Sequence, residues 1–450
     1  MAVEAVTKDR VWTPPRPTAS RPHWQHRRTH GLGPRYHGLL VATGVSSLGD
    51  GVVGVALPLL AASLTHSGLA ISGLLAAVRI PWLAALPLGA IADRGDRRRM
   101  ALAATIAQAA LFVLTGLLLA AGLRSLAFLY TVALATGALE VAFTAATSAV
   151  VPDLVARDDL ASANGRLEAI RLSGDVLIGQ AVGAVLFVAI AALPFVLDGA
   201  SFAAAALILF FVLPAHVLRA RSRLTAAEPI VATTTLREDV IAGARYLWDR
   251  PGLRLLASTI CALAFFQAMV MGILVVLALG PLHLPRSSYG LFLAVAAVGW
   301  VAGSFTAGRI DRRLGHAGCL VVGAGVASVA YLILAPAPSA AVAAGALFVE
   351  GFAVSLGNVA SMSIRQERVP REMLGRINSA FRMVTYGAVP AGALVGGLVS
   401  QLWSLRGAVL VAGVAQTLVV VLTVPRLLRA LAEPDVDLRD DVIDLTPTRA

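Results

Sequence analysis

Charge is scarce in this chain. Only 14% of its 450 residues are Asp, Glu, Lys or Arg, against 58% hydrophobic. A water-soluble chain of this length needs far more charge to cover its surface, which argues against a soluble multidomain protein. Cysteine is nearly absent: Cys261 and Cys319 lie in or beside apolar stretches and read as small fillers, so there is no disulfide framework and no metal-ligand spacing. Four of the eight histidines (His23, His26, His30, His37) stand irregularly in the N-terminal tail without a cysteine nearby, so no metal is expected. No Gly-rich loop ending in Lys-Ser/Thr occurs, which argues against a self-contained ATP-driven pump. An intramembrane enzyme would need a constellation such as a His-rich metal site or a Ser/His pair within the apolar stretches, and none of them holds a His cluster, so an enzyme is not expected. Nothing resembles a selectivity filter or ring of charges, so a channel is not expected either. No cofactor is implied.

What is present is apolar length. Mean hydropathy is +0.79. Stretches near 37–64, 69–92, 100–121, 126–151, 169–192, 194–214, 254–279, 288–308, 317–336, 339–363, 374–400 and 405–428 each approach the ~20 residues that cross a bilayer. Aromatics are sparse at 6%, while glycine numbers 41, a composition that lets helices approach closely in lipid. The expected organisation is a basic disordered tail (1–36), a six-helix half (37–214), a linker (215–253), a second six-helix half (254–428) and an acidic tail (429–450). In the linker, Leu236, Val240, Ala244, Leu247 and Trp248 share one helical stripe, which predicts an amphipathic helix on the membrane surface.

The net charge of +11 is placed unevenly. Arg94, Arg97, Arg98, Arg99, Arg157, Arg166, Arg219, Arg221, Arg223, Arg309, Arg312, Arg313, Arg365, Arg368 and Arg371 fall on one alternating set of loops. The positive-inside rule then puts both termini in the cytoplasm and the chain in the plasma (inner) membrane, facing anionic lipid; nucleic acid is not an expected partner.

The halves repeat. Val155, Arg157, Leu160, Asn164 and Gly183 correspond to Val369, Arg371, Leu374, Asn378 and Gly397, and Gly137 to Gly351, all at one offset of 214 residues (369 − 155, and so on). Duplicated halves are a mark of secondary transporters.

The loop Gly89-Ala90-Ile91-Ala92-Asp93-Arg94-Gly95-Asp96-Arg97-Arg98-Arg99 resembles the signature loop of the major facilitator superfamily, with Asp96 at the family's second Gly position. Gly308–Gly315 is a looser copy. Leu48-Gly49-Asp50, Arg79-Ile80-Pro81, Val151–Val155, Arg365–Pro370 and Gly375–Asn378 are similar to the branch holding the enterobactin exporter and bacterial macrolide efflux pumps. The resemblance implies an all-α fold of twelve transmembrane helices in two pseudo-symmetric six-helix bundles. It also implies efflux of a small, largely apolar molecule (a drug, antibiotic, siderophore or other secondary metabolite) in exchange for protons, by a monomer. Gly89, Asp93, Arg94 and Arg97 would form a conformational latch, Asp93 accepting from helix N-terminal amides in the other half; a plain topology-setting charge loop is the alternative. Gly174, Gly179, Gln180 and Gly183 partly match an antiporter pattern, with ordinary helix packing the alternative.

Each ionisable group inside a span costs about 2.5–3.5 kcal/mol and needs a reason. Asp50 and Arg79 are expected near the middle of neighbouring spans as a possible pair, and Asp50 or Glu140 is the expected proton carrier. Asp175, Glu350, Arg382 and the uncharged Gln267 complete the cavity candidates; Asp198 is expected at the outer interface. An importer or exporter of a polar metabolite is the alternative, favoured if the cavity carries several unpaired charges.

Overall fold

The structure, a computed structural model, describes residues 32–84, 96–155, 159–213, 236–370 and 373–432. The described residues are helical almost throughout, because a chain this apolar must satisfy its backbone internally. Among the described residues, ten helices are long and apolar enough to cross a membrane. One of them, 286–334, is two spans joined at Gly315, and the shorter stretch Gly68–Ala84 makes the twelfth. The chain is a multi-pass membrane protein.

The first half holds α1 (Pro34–Leu64), α2 (Gly68–Arg79), α3 (Arg97–Ala120), α4 (Leu126–Leu154), α5 (Leu160–Leu172), α6 (Gln180–Ala189) and α7 (Leu193–Val212). A π-helical turn, Ser173–Gly179, joins α5 to α6 within one span. The connecting helix α8 (Leu236–Asp249) leads into the second half, which holds α9 (Pro251–Leu279), α10 (Tyr289–Leu334), α11 (Ala340–Arg368), α12 (Leu374–Leu402) and α13 (Leu405–Ala432). Short connections make successive spans antiparallel. The face where α1 begins is called the near face below, and the opposite one the far face.

The chain's punctuation explains the boundaries. Ser67, Asp96, Ser125 and Ser339 each accept a backbone N–H three residues on and start α2, α3, α4 and α11. Asp96, the residue that departs from the signature pattern, is thus a helix cap. Pro81 has no N–H to continue α2, which tightens into the 3₁₀ turn Ile80–Ala84. Gly315 sits at φ +68°, a left-handed conformation that glycine adopts without strain, and breaks α10 into its two limbs. The helix runs up to that break, so most of the expected loop 309–316 is helical.

Glycines set the helix packing. A methyl on Gly137 would overlap the Val78 carbonyl, and one on Gly351 the Ala296 carbonyl. The repeat therefore puts equivalent glycines at equivalent contacts, α4 on α2 and α11 on the first limb of α10. Gly174, Gly179 and Gly183 all press on α1, at Ser47, Leu48 and Val52. A five-residue step from 174 to 179 would rotate off one face of an α-helix; the π turn brings the two back into line. Gly51→Ala is expected to cost about 1–3 kcal/mol, because its methyl would overlap the Asp175 carbonyl across this seam. Gly54→Ala, with open space around it, is expected to be neutral. Melting temperatures in detergent check the pair.

Helix α8 is present but turned. Gly243 and Leu247 are buried, Leu247 packing with Leu253 and Ile377, while Ala244 and Trp248 are exposed. The helix docks on the second half through a face one residue away from the expected stripe, and Arg250 lies over the Tyr246 ring at 3.6 Å. The side chains of 236–242 lie outside the described residues, as do the expected tails over 1–31 and 433–450.

At the near-face break, His316 bridges two acids. Its Nδ1 is 2.6 Å from Asp311 Oδ1 and its Nε2 2.9 Å from Glu367 Oε1, tying α10 to α11. Burial pulls the imidazole pKa down, but hydrogen bonds and charge from Asp311 and Glu367 together raise it above its ordinary value. A raised folded pKa stabilises below the unfolded value and is lost as pH rises through the folded one. The melting-temperature gap between wild type and His316→Gln is therefore expected to be widest in acid and to shrink as pH rises; a gap widening with pH would contradict it.

Candidate functional site

Two polar constellations lie inside the spans. The first belongs to the first half. Asp198, on α7, is fully buried, and its carboxylate rests where a side chain on Gly49 would be. Gly49 thus makes the room, immediately before Asp50 on α1. Ser201 Oγ donates to Asp198 Oδ1 (3.1 Å), while Asp198 Oδ2 is buried with no partner. Asp198, Asp175 and Glu140 are the carboxylates in electrostatic reach of Asp50, with Arg171 the opposing charge. Arg171 is itself held in a fork by Glu168 (3.1 and 3.2 Å). Arg79 reaches Glu140, Nη1 to Oε1 at 3.9 Å, both partly exposed. The expected Asp50–Arg79 pair is therefore replaced by Arg79–Glu140, because α2 packs against α4 at that level. Asp198 is interior, not interfacial as expected.

The second constellation is a cavity of about 430 Å³ in the second half. Its lining comes from α9, the second limb of α10, α11, α12 and α13. Ile260, Leu263, Ala264 and Val389 make apolar wall. Gln267 and Tyr331 also line it, and both donate to Glu350 Oε1, at 2.9 and 2.8 Å. Glu350 is 3% exposed and lies behind that wall. It clamps three helices together rather than facing the cavity.

Arg365 lines the near-face side and is only 9% exposed. Its Nε donates to Asn378 Oδ1 (3.1 Å) and its Nη1 to Ser361 Oγ (2.9 Å), and the guanidinium lies 3.9 Å from the Phe381 ring centroid. Arg382 opens onto the same cavity and is exposed within it. Tyr386 completes this side, its ring 5.2 Å from Trp82 of the first half.

Of the sequence candidates, Gln267 and Arg382 meet at the cavity, while Asp50, Asp175, Glu140 and Arg79 gather in the first half. Gly89, Asp93 and Arg94 lie outside the described residues, and so does the side chain of Arg97, which opens α3. The charge pattern places Arg365 among the loop arginines; the structure buries it in the last turns of α11. Tyr331 and Gln416 carry no distinguishing signal in the sequence, whereas Asn378 stands out as the repeat partner of Asn164, and Ser361 and Arg365 lie four apart on one helix face.

The halves meet at the far face. A methyl on Gly290 of α10 would overlap the Gln180 carbonyl of α6, and one on Gly272 of α9 would come 2.9 Å from the Ser72 Cβ of α2. Gly397 of α12 packs on Leu69 and Ser72, and Gly68 on Ser400. These are the far ends of the helices, so the seam closes the far side.

A family model described as Major Facilitator Superfamily matches residues 39–393, and the chain belongs to that superfamily. It is therefore a secondary transporter, in a family of transporters and not of enzymes. No curated protein matches it by sequence. Among solved structures it is similar to the nucleoside transporter NupG (TM-score 0.67, 12% identity, 89% of this chain and 100% of that one). It is similar to a bacterial homologue of the iron transporter ferroportin in an inward-facing state (TM-score 0.63, 18% identity, 87% and 98%). A bacterial homolog to the human lysosomal transporter Spinster, inward-facing and occupied, is a third (TM-score 0.62, 17% identity, 89% and 96%). At these identities the likeness is one of fold.

Proposed function

We propose that this chain exports a small molecule in exchange for protons, the halves 37–214 and 254–428 rocking about a midplane site and joined through 215–253 on the cytoplasmic side. The near face is the cytoplasmic one, by the arginine asymmetry. A cavity shut at the far seam is then loaded from the cytoplasm. Gly89, Asp93, Arg94 and Arg97 act as the latch that closes the near face in the opposite state. The chain works as a monomer among membrane lipids.

The two constellations divide the labour. The cargo sits in the second-half cavity. The proton is carried by the carboxylates of the first half, Asp50 and Glu140 with Asp175 beside them. One observation carries the proton reading: Asp198 Oδ2 is buried without a donor beside Asp50. A buried acceptor with nothing to bond is costly, and a proton entering the cluster relieves it. Export as the direction rests on the resemblance to the exporter branch.

Transport in inverted membrane vesicles tests this. Collapsing the proton gradient is expected to abolish uptake of the cargo. Asp50→Asn and Glu140→Gln are each expected to uncouple uptake from the gradient. Unchanged coupling in both variants, or uptake indifferent to the gradient, would overturn it.

A further inference from the structure

From the charges of the second-half cavity, and resting on the transport reading above, we infer that the cargo is an amphipathic organic anion: an apolar or aromatic body with one carboxylate, sulfate or phosphate group.

Two guanidinium groups, Arg365 and Arg382, line the cavity, and among the described residues no Asp or Glu does. The one acid nearby, Glu350, is turned away behind Gln267 and Tyr331, which occupy its Oε1. The partners of Arg365 (Asn378, Ser361, the Met362 sulfur and the Phe381 ring) are all uncharged, so they orient the cation without neutralising it. Arg382 has no hydrogen bond or ion pair among the described residues. It stands eight residues after Leu374, the start of α12, roughly 12 Å along the helix at ~1.5 Å per residue.

Two unneutralised cations on one low-dielectric wall repel each other and are expensive. A bound anion removes both costs, through charge-assisted hydrogen bonds stronger than neutral ones. Arg365, fixed by its neutral partners, offers a rigid fork; Arg382, free to move, closes on the anion. Away from the arginines, Ile260, Leu263 and Val389 suit an apolar body. Gln416 also lines the cavity with its Oε1 buried and unpaired, an acceptor for an N–H or O–H on the cargo body and not for its anionic group. Beside Tyr386, the Trp82 indole N–H is likewise buried without an acceptor. A cation would meet only like charge, and a neutral body would leave both arginines unpaired.

The test uses the full chain in lipid nanodiscs, with 1-naphthoate, its neutral amide and 1-naphthylmethylammonium as probes of one shape and three charges. Tryptophan fluorescence reads binding, and vesicle uptake of the same compounds reads transport. Naphthoate is expected to bind at least about tenfold more tightly than the amide, and the ammonium not at all. Arg382→Gln is expected to erase the preference for the acid, and Arg382→Lys to keep part of it, with the melting temperature lowered in neither. Equal binding of acid and amide, a preference that survives Arg382→Gln, or binding of none of the three overturns the inference. Uptake of the amide or ammonium without the acid overturns the anion and leaves the transporter standing; no gradient-driven uptake of any compound overturns both.

Discussion

Oxidising a Gly68→Cys, Ser400→Cys variant is expected to stop transport completely, and reduction to restore it. A Cβ built on Gly68 lies 3.3 Å from Ser400 Cβ, close to the ~3.5–4.5 Å that a disulfide spans. The two residues belong to opposite halves, α2 and α12, at the far-face seam. A covalent bond there holds that side shut, so cargo entering from the near face cannot leave. The native thiols Cys261 and Cys319 are removed first, since both are free. Vesicle uptake before and after oxidation measures the effect. Retained transport with the bond formed would mean that the far seam does not open during the cycle.

The largest loss of stability from one substitution is expected at Glu350. Glu350→Ala removes the oxygen that accepts from both Gln267 and Tyr331. Two buried donors are then left without a partner, and a helix-to-helix clamp across α9, α10 and α11 is gone. Each orphaned donor costs about 1–3 kcal/mol, so the sum is on the order of 3 kcal/mol, before any cavity term. Glu350→Gln keeps an accepting oxygen at the same place and is expected to recover most of that stability. If Glu350 served as the proton carrier instead, Glu350→Gln would uncouple transport at unchanged stability. Thermal melts and gradient-driven uptake on the same two variants separate these roles.

The spans were legible because hydropathy is a one-dimensional property, and twelve apolar lengths need only be counted. Their alternation followed from where arginine falls. The looser loop copy, Gly308–Gly315, ends on the glycine at which α10 breaks. Pairings across helices were not legible, since they depend on which helix lies beside which. Asp50 and Arg79 stand in consecutive spans, yet Arg79 turns to Glu140. Asp198 lies near a helix end and looked interfacial, but Gly49, one position before Asp50, opens the space that buries it. Arg365 lies one turn from the end of α11, as a topology-setting arginine would. Only the positions of Asn378 and Phe381 on α12 reveal that it points into the cavity. The glycines at 174, 179 and 183 show a step of five that no regular α-helix face explains, and the π turn supplies the missing rotation.

The account turns on alternating access, in which the far seam, closed here, opens as the near face closes. Spin labels at Arg124 and Ser404 report across the far face, and labels at Ser162 and Gln366 across the near face; all four residues are exposed. Pulsed electron–electron distance measurements on the chain in nanodiscs, with and without a transported compound, test it most directly. The account predicts a second population in which the far-face distance lengthens while the near-face distance shortens. Distances that stay fixed, or that lengthen together on both faces, would contradict it.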